Sequence, residues 1–115
     1  MEKIEAFTEF LKDRKTEVLA EVSALAAENK KDESNVLKAK ANIYDISKAF
    51  FDVAVKNADE ASLKDEFLNR FSAVTRQWEA SLEQAKAHED AYKILIEEAK
   101  FEAVDEIKEK AEELL

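Results

Sequence analysis

The 115-residue chain contains no glycine, no proline and no cysteine. Without cysteine there is no disulfide framework, no thiolate metal site and no cysteine nucleophile, a composition that fits the cytoplasm. Without glycine the phosphate-cradling turns of P-loop and dinucleotide-binding folds cannot be built. Long apolar runs are missing too. Stretches such as Ala49-Phe50-Phe51 and Ile94-Leu95-Ile96 stop at three residues, where a membrane-spanning helix needs roughly 18. The opening residues, MEKIEAFTEFLKDRK, place charges where a signal peptide needs an apolar core, so secretion by that route is not expected. Positive charge is in deficit. A formal net charge of −9 opposes nucleic acid and anionic lipid, both of which demand a basic footprint.

What is present is a chain 46% hydrophobic and 39% charged, too apolar for disorder and too charged for a bilayer. Its length suits one domain, residues 1–115, with a single core. Apolar residues recur at helical spacing throughout. Ile4, Phe7, Leu11, Val18, Val22 and Leu25 form one stripe, predicting a first helix over about residues 2–29. Glu28 through Asn35 are all polar, and two further helical turns there would have nothing to bury. The chain is expected to turn, with Asn29 taking the left-handed conformation that glycine usually supplies and Asp32 or Ser34 capping the next helix.

The second helix, about 35–57, carries a broad apolar arc that includes Val36, Ile43, Tyr44, Ile46, Phe50, Phe51, Val53 and Val55, which implies several neighbours. Between Phe50 and Phe67 the stripe slips by about 100°, so the helix must break. Asn57 is the expected left-handed stop, and Ser62 with Asp65 has capping-box spacing. Phe67, Phe71, Val74, Trp78, Leu82 and Ala85 then repeat in register with Tyr92, Ile96, Ala99, Ala103, Ile107 and Leu114. The segment KAHEDAY could hold a tight turn capped by Asp90. It could equally lie inside one long helix over residues 62–114, dimerising to cover its apolar stripe. SAVT, residues 72–75, is a second soft spot because hydroxyl and β-branched side chains favour helix ends. Leaving five or six large apolar side chains in water is untenable for a monomer when each is worth roughly 1.5–3 kcal/mol on burial. The expected fold is therefore all-α, an antiparallel four-helix bundle.

Chemistry is sparse. Carboxylate pairs such as Glu9 with Asp13, Glu17 with Glu21, Glu79 with Glu83 and Glu98 with Glu102 are what abundance alone produces, and they fall off the apolar stripes. A di-iron or di-manganese bundle needs Glu-x-x-His on two helices, whereas the single histidine, His88, follows Ala85 at that spacing. His88 reads as a residue at a helix C-terminus, where it meets the last carbonyls. No metal, cofactor or catalytic residue is expected. Trp78, on the stripe of Phe67 and Phe71, reads as core, with an apolar ligand pocket as the alternative.

One helix carries more apolar surface than a bundle position requires. Ile94 and Phe101 stack seven residues apart, well around the helix from Tyr92, Ile96, Ala103 and Ile107, with Val104 and Leu115 between the two arcs. Either the arc reaches two neighbours, or Ile94, Phe101, Val104 and Leu115 form a surface for a second copy or another protein. Residues 97–115 hold eight acidic and three basic residues at the negative pole of the helix, an end expected to fray. A helical bundle by itself assigns no function. The expectation is a non-enzymatic protein acting by association, against the alternative of a small-molecule-binding or enzymatic bundle built around Trp78.

Overall fold

A computed structural model describes residues 2–115 and contains four helices: α1 (Glu2–Ala27), α2 (Lys31–Asn57), α3 (Leu63–Ala87) and α4 (Ala91–Leu114). There is no strand among the described residues. No helix is long and apolar enough to cross a membrane. The chain turns near His88, so the single helix over residues 62–114 does not form.

Two of the three connections use the same device. Asn29 has φ 63° and Glu89 has φ 53°. In each case the following amide reaches back to the last helical turn, Lys30 to the Leu25 carbonyl at 2.9 Å and Asp90 to the Ala85 carbonyl at 3.1 Å. The left-handed residue itself bonds three residues back, Asn29 to Ala26 and Glu89 to Lys86, both at 3.1 Å. This Schellman arrangement satisfies carbonyls that the helix end would otherwise leave open. Asn29 suits the position as expected. Glu89 does not: a residue with a Cβ pays roughly 1–2 kcal/mol there. Asp90 then caps α4, its carboxylate accepting the Lys93 amide at 3.1 Å.

The remaining boundaries correct the sequence reading. α2 begins at Lys31, four residues earlier than expected, and neither Asp32 nor Ser34 caps it by a side-chain bond. Ser34 is buried, and its hydroxyl donates to the Val22 carbonyl of α1 at 3.4 Å. A polar residue thus sits on the interior face, and α2 starts ahead of its first apolar residue, Val36. Asn57 is not left-handed; its side-chain amide donates to the Val53 carbonyl at 2.8 Å, and Ala58 is extended. Ser62 and Asp65 form no capping box. Instead the Asp59 carboxylate accepts both the Ser62 amide at 2.9 Å and the Ser62 hydroxyl at 2.8 Å, which hold its pKa below the ordinary value. At residues 72–75 the helix does not break. Thr75 is buried and returns its hydroxyl to the Ser72 carbonyl at 3.2 Å.

Successive helices run antiparallel, so α2 and α4 point the same way, as Lys40 with Glu102 and Tyr44 with Glu106 record. These two parallel helices lie against each other along the middle, and α4 buries Ala99, Ala103 and Ala111, small side chains that permit close approach of neighbouring helices. α1 flanks α2, and α3 flanks α4. The result is a flattened bundle of 45 × 33 × 20 Å. Although the α1 and α3 backbones stay apart, Phe7 and Phe67 meet with ring centroids 5.3 Å apart. Phe51 joins them from α2, at 4.8 Å from Phe7 and 5.6 Å from Phe67, and Phe71 stacks on Phe67 at 5.5 Å. All four rings are fully buried.

Two stability measurements test this account. Glu89→Gly is expected to raise unfolding free energy by about 1 kcal/mol in urea titration, because it relieves a left-handed residue without touching a packed side chain. Phe67→Ala should cost about 3–5 kcal/mol, the range for deleting a buried phenyl ring, whereas Leu82→Ala, at a half-buried position, should cost less than about 2 kcal/mol.

Candidate functional site

The residues singled out on α4 separate into different environments. Val104 is 1% exposed and belongs to the core, so it cannot contribute to a surface. Phe101 and Leu115 are half-buried and pack against the core, and Ile94 is half-buried in the first turn of α4. The breadth of the apolar arc follows from the position of the helix between two neighbours. Its Glu102 and Glu106 side meets α2 and α1, while Phe101 and Asp105 look towards α3. The end of α4 is tied down by Lys64 to Glu112 at 3.4 Å and by the Lys3 ammonium donating to the Leu115 carbonyl at 3.3 Å. It stays helical to Leu114 where fraying was expected.

Phe67 and Phe71 are 0% exposed and filled around by other rings, so a ligand reaching them would displace core side chains. Trp78 is half-buried, edge-on to Phe71 at 6.4 Å and covered by the Lys100 ammonium 5.6 Å from its ring. Lys100 also pairs at 3.4 Å with Glu97, which is buried. The Lys100 ammonium thereby serves both the indole face and an interior carboxylate. His88 is exposed at the α3 C-terminus, its amide donating to the Gln84 carbonyl at 3.0 Å.

Open space lies on the flanks instead. Between α1 and α2 a groove of about 390 Å³ is lined by Leu11, Leu19 and Tyr44, with Lys12, Lys15 and Lys48 around it. Two of these lysines are already paired, Lys15 with Asp45 at 2.9 Å and Lys48 with Asp52 at 2.8 Å. Between α3 and α4 a groove of about 410 Å³ has Leu82 and Phe101 as its apolar lining and Glu79, Glu83 and Asp105 as its charged one. The described residues include no group of three or more histidine, aspartate or glutamate side chains placed to hold a metal ion.

Sequence reasoning missed a polar cluster that joins three helices. Glu106 on α4 accepts the Tyr44 hydroxyl of α2 at 2.7 Å and the Arg14 Nε of α1 at 2.9 Å on the same oxygen. Arg14 also reaches Glu17 and lies over the Tyr44 ring at 5.8 Å. The bond to Glu106 raises the Arg14 pKa despite some opposing burial, so the guanidinium stays charged. Burial first, and then the bond to Glu106, push the Tyr44 phenol well above its ordinary value. Because Arg14, Tyr44 and Glu106 are far apart in the chain, no local spacing marks them. The only signal was a tyrosine on an apolar arc, which needs a partner when buried. The arrangement lacks the features of a reaction centre: the carboxylate is neutralised by arginine, and the phenol is held protonated. It fixes how the three helices align.

Because the folded-state phenol is raised, its contribution to stability is fully present below the ordinary tyrosine pKa of about 10 and is lost as pH rises from there through the raised folded value. Urea titrations should therefore show the wild type losing stability more steeply than Tyr44→Phe above about pH 10. At neutral pH the same variant should be less stable by about 1.5 kcal/mol, the low end for a hydrogen bond to a charged group, since Arg14 still satisfies Glu106. Equal pH profiles for the two proteins would show that Tyr44 ionises no differently in the fold. Comparison of the chain with protein-family models, curated proteins and solved structures gave no match, so the functional reading rests on the geometry of this bundle.

Proposed function

We propose that the protein is a non-enzymatic cytoplasmic bundle that works by binding another protein through the flank formed by α3 and α4. The observation that supports this most is the groove there, where Phe101 and Leu82 remain accessible between two otherwise well-packed helices. Ile94 extends the apolar strip along α4, two turns before Phe101 on the same side. Apolar groups grouped this way, with charges at their margin, are the common form of a protein contact surface. The alternative of an apolar ligand near Trp78 is disfavoured by the filled space around Phe67 and Phe71.

Affinity capture from native extract, comparing wild type with an Ile94→Lys variant of equal helical content by circular dichroism, tests the reading. A partner recovered by the wild type and reduced at least about tenfold with the variant supports it, corresponding to about 1.4 kcal/mol or more of binding energy. Equal recovery would refute it. A saturable shift of Trp78 fluorescence with a metabolite, without any co-purifying protein, would favour the ligand-binding alternative.

A further inference from the structure

We infer that the α3–α4 groove receives an amphipathic helix of the partner protein, with an apolar stripe and lysine or arginine along both edges. This rests on the association reading and names the chemistry of its partner. Three observations support it. The groove has an apolar lining of Leu82 and Phe101, suited to anchors that a helix presents at i and i+3 or i+4. Its charged lining is of one sign, Glu79 and Glu83 on α3 and Asp105 on α4, all exposed. No lysine, arginine or histidine among the described residues lies within ion-pair distance of these three acids.

Other exposed acids, among them Glu98 and Glu109 on α4, also lack a basic partner within the described residues; what sets these three apart is that they flank an apolar groove. On the same helix α4, Glu97, Glu102, Glu106 and Glu112 each have a basic partner, in Lys100, Lys40, Arg14 and Lys64. Glu79 and Glu83 are also one turn apart on α3, a like-charge spacing that an isolated helix disfavours. Basic groups on an incoming helix would relieve that repulsion while its apolar stripe covers Leu82 and Phe101. An acidic helix would meet the same carboxylates with like charge, and an anionic membrane is opposed by the net charge of −9. The other candidate occupant is a second copy of this chain presenting α1, where the exposed Leu19 lies beside Lys12 and Lys15. The partner helix is preferred because Lys15 is already engaged by Asp45.

The probe is a synthetic helical peptide of about 18 residues, five turns, with leucines on one face, lysines flanking them and no tryptophan. Its glutamate-for-lysine counterpart serves as control. Trp78, one turn from Leu82 on α3, reports binding by fluorescence. The expected result is saturable binding of the lysine peptide that weakens with added salt, and at least about tenfold weaker binding of the glutamate peptide. Glu79→Lys, Glu83→Lys and Asp105→Lys together should weaken the lysine peptide at least about tenfold. A matched variant, Glu9→Lys, Glu21→Lys and Glu60→Lys, changes net charge equally at exposed positions outside the groove and should lose less than about threefold.

Equal loss from the two variants would show that binding follows net charge alone and overturn the inference, as would failure of the lysine peptide to bind. If light scattering gives a dimer that Lys12→Glu with Lys15→Glu dissociates, the occupant is a second copy and the inference is wrong. If native capture still depends on Ile94 while the groove variant retains the captured protein, the association reading stands and only the basic-helix inference falls.

Discussion

Four phenyl rings from three helices share one small volume, and the placement of those helices is constrained by keeping them out of water. Phe7, Phe51, Phe67 and Phe71 are each fully buried, at ring separations of 4.8 to 5.6 Å. Burial of each ring contributes roughly 1.5–3 kcal/mol, and each well-placed aromatic pair adds about 0.5–1.5 kcal/mol. Because Phe7 lies early in α1, Phe51 late in α2 and Phe67 early in α3, the cluster gathers one end of the bundle. Through Phe7 and Phe67 it joins the two outer helices, whose backbones do not otherwise approach.

Apolar burial is poorly directional, and a flattened bundle of four similar helices has several ways to slide. The polar contacts restrict that freedom. Glu106 can accept Tyr44 and Arg14 on one oxygen only at a single alignment of α1, α2 and α4. Ser34 to Val22 and Tyr92 to Asp32 add further bonds near the opposite end, the latter from the Tyr92 hydroxyl to a carbonyl at 3.3 Å. Each such bond contributes little net stability against water. Misalignment, however, would leave a buried phenol or hydroxyl without a partner, which costs more than the bond contributes. The rings supply the attraction, and the polar cluster selects the register.

The helical stripes made the fold class legible, as did the requirement that a monomer bury Tyr92 to Leu114. Asn29 was legible because asparagine tolerates positive φ, and Asp90 because a helix start needs an acceptor. The places that misled were those where one side chain had two plausible uses. Ser34 has the chemistry of a cap and serves as an interior hydrogen-bond donor to the neighbouring helix. Ser62 resembles the first residue of a capping box and donates to Asp59 instead. Glu89 gives no hint of its left-handed backbone, since glutamate ordinarily avoids it. Val104 and Phe101 share one apolar arc in the sequence, and only the position of α4 between two neighbours makes Val104 core and leaves Phe101 at a groove. The grooves and the Arg14–Tyr44–Glu106 cluster were illegible for a simpler reason: they are made across helices, and periodicity describes one helix at a time.

The flattened shape also accounts for where open surface remains. In a square bundle each helix would shield both of its neighbours. Here α2 and α4 lie together, so α1 and α3 each cover one flank and cannot cover each other. The aromatic cluster closes the end where Phe7 and Phe67 meet. Beyond it, the second half of α3 carries Thr75 and Ala85 as its buried residues, with Trp78 and Leu82 only half-buried. Smaller buried side chains fill less of the seam between α3 and α4, and the acids along it repel rather than bind across it. The groove is therefore a consequence of which large side chains were placed at the other end of the helix. Closing it from within would require a basic residue in place of Asp105, across from Glu79 and Glu83, and the sequence has an acid there.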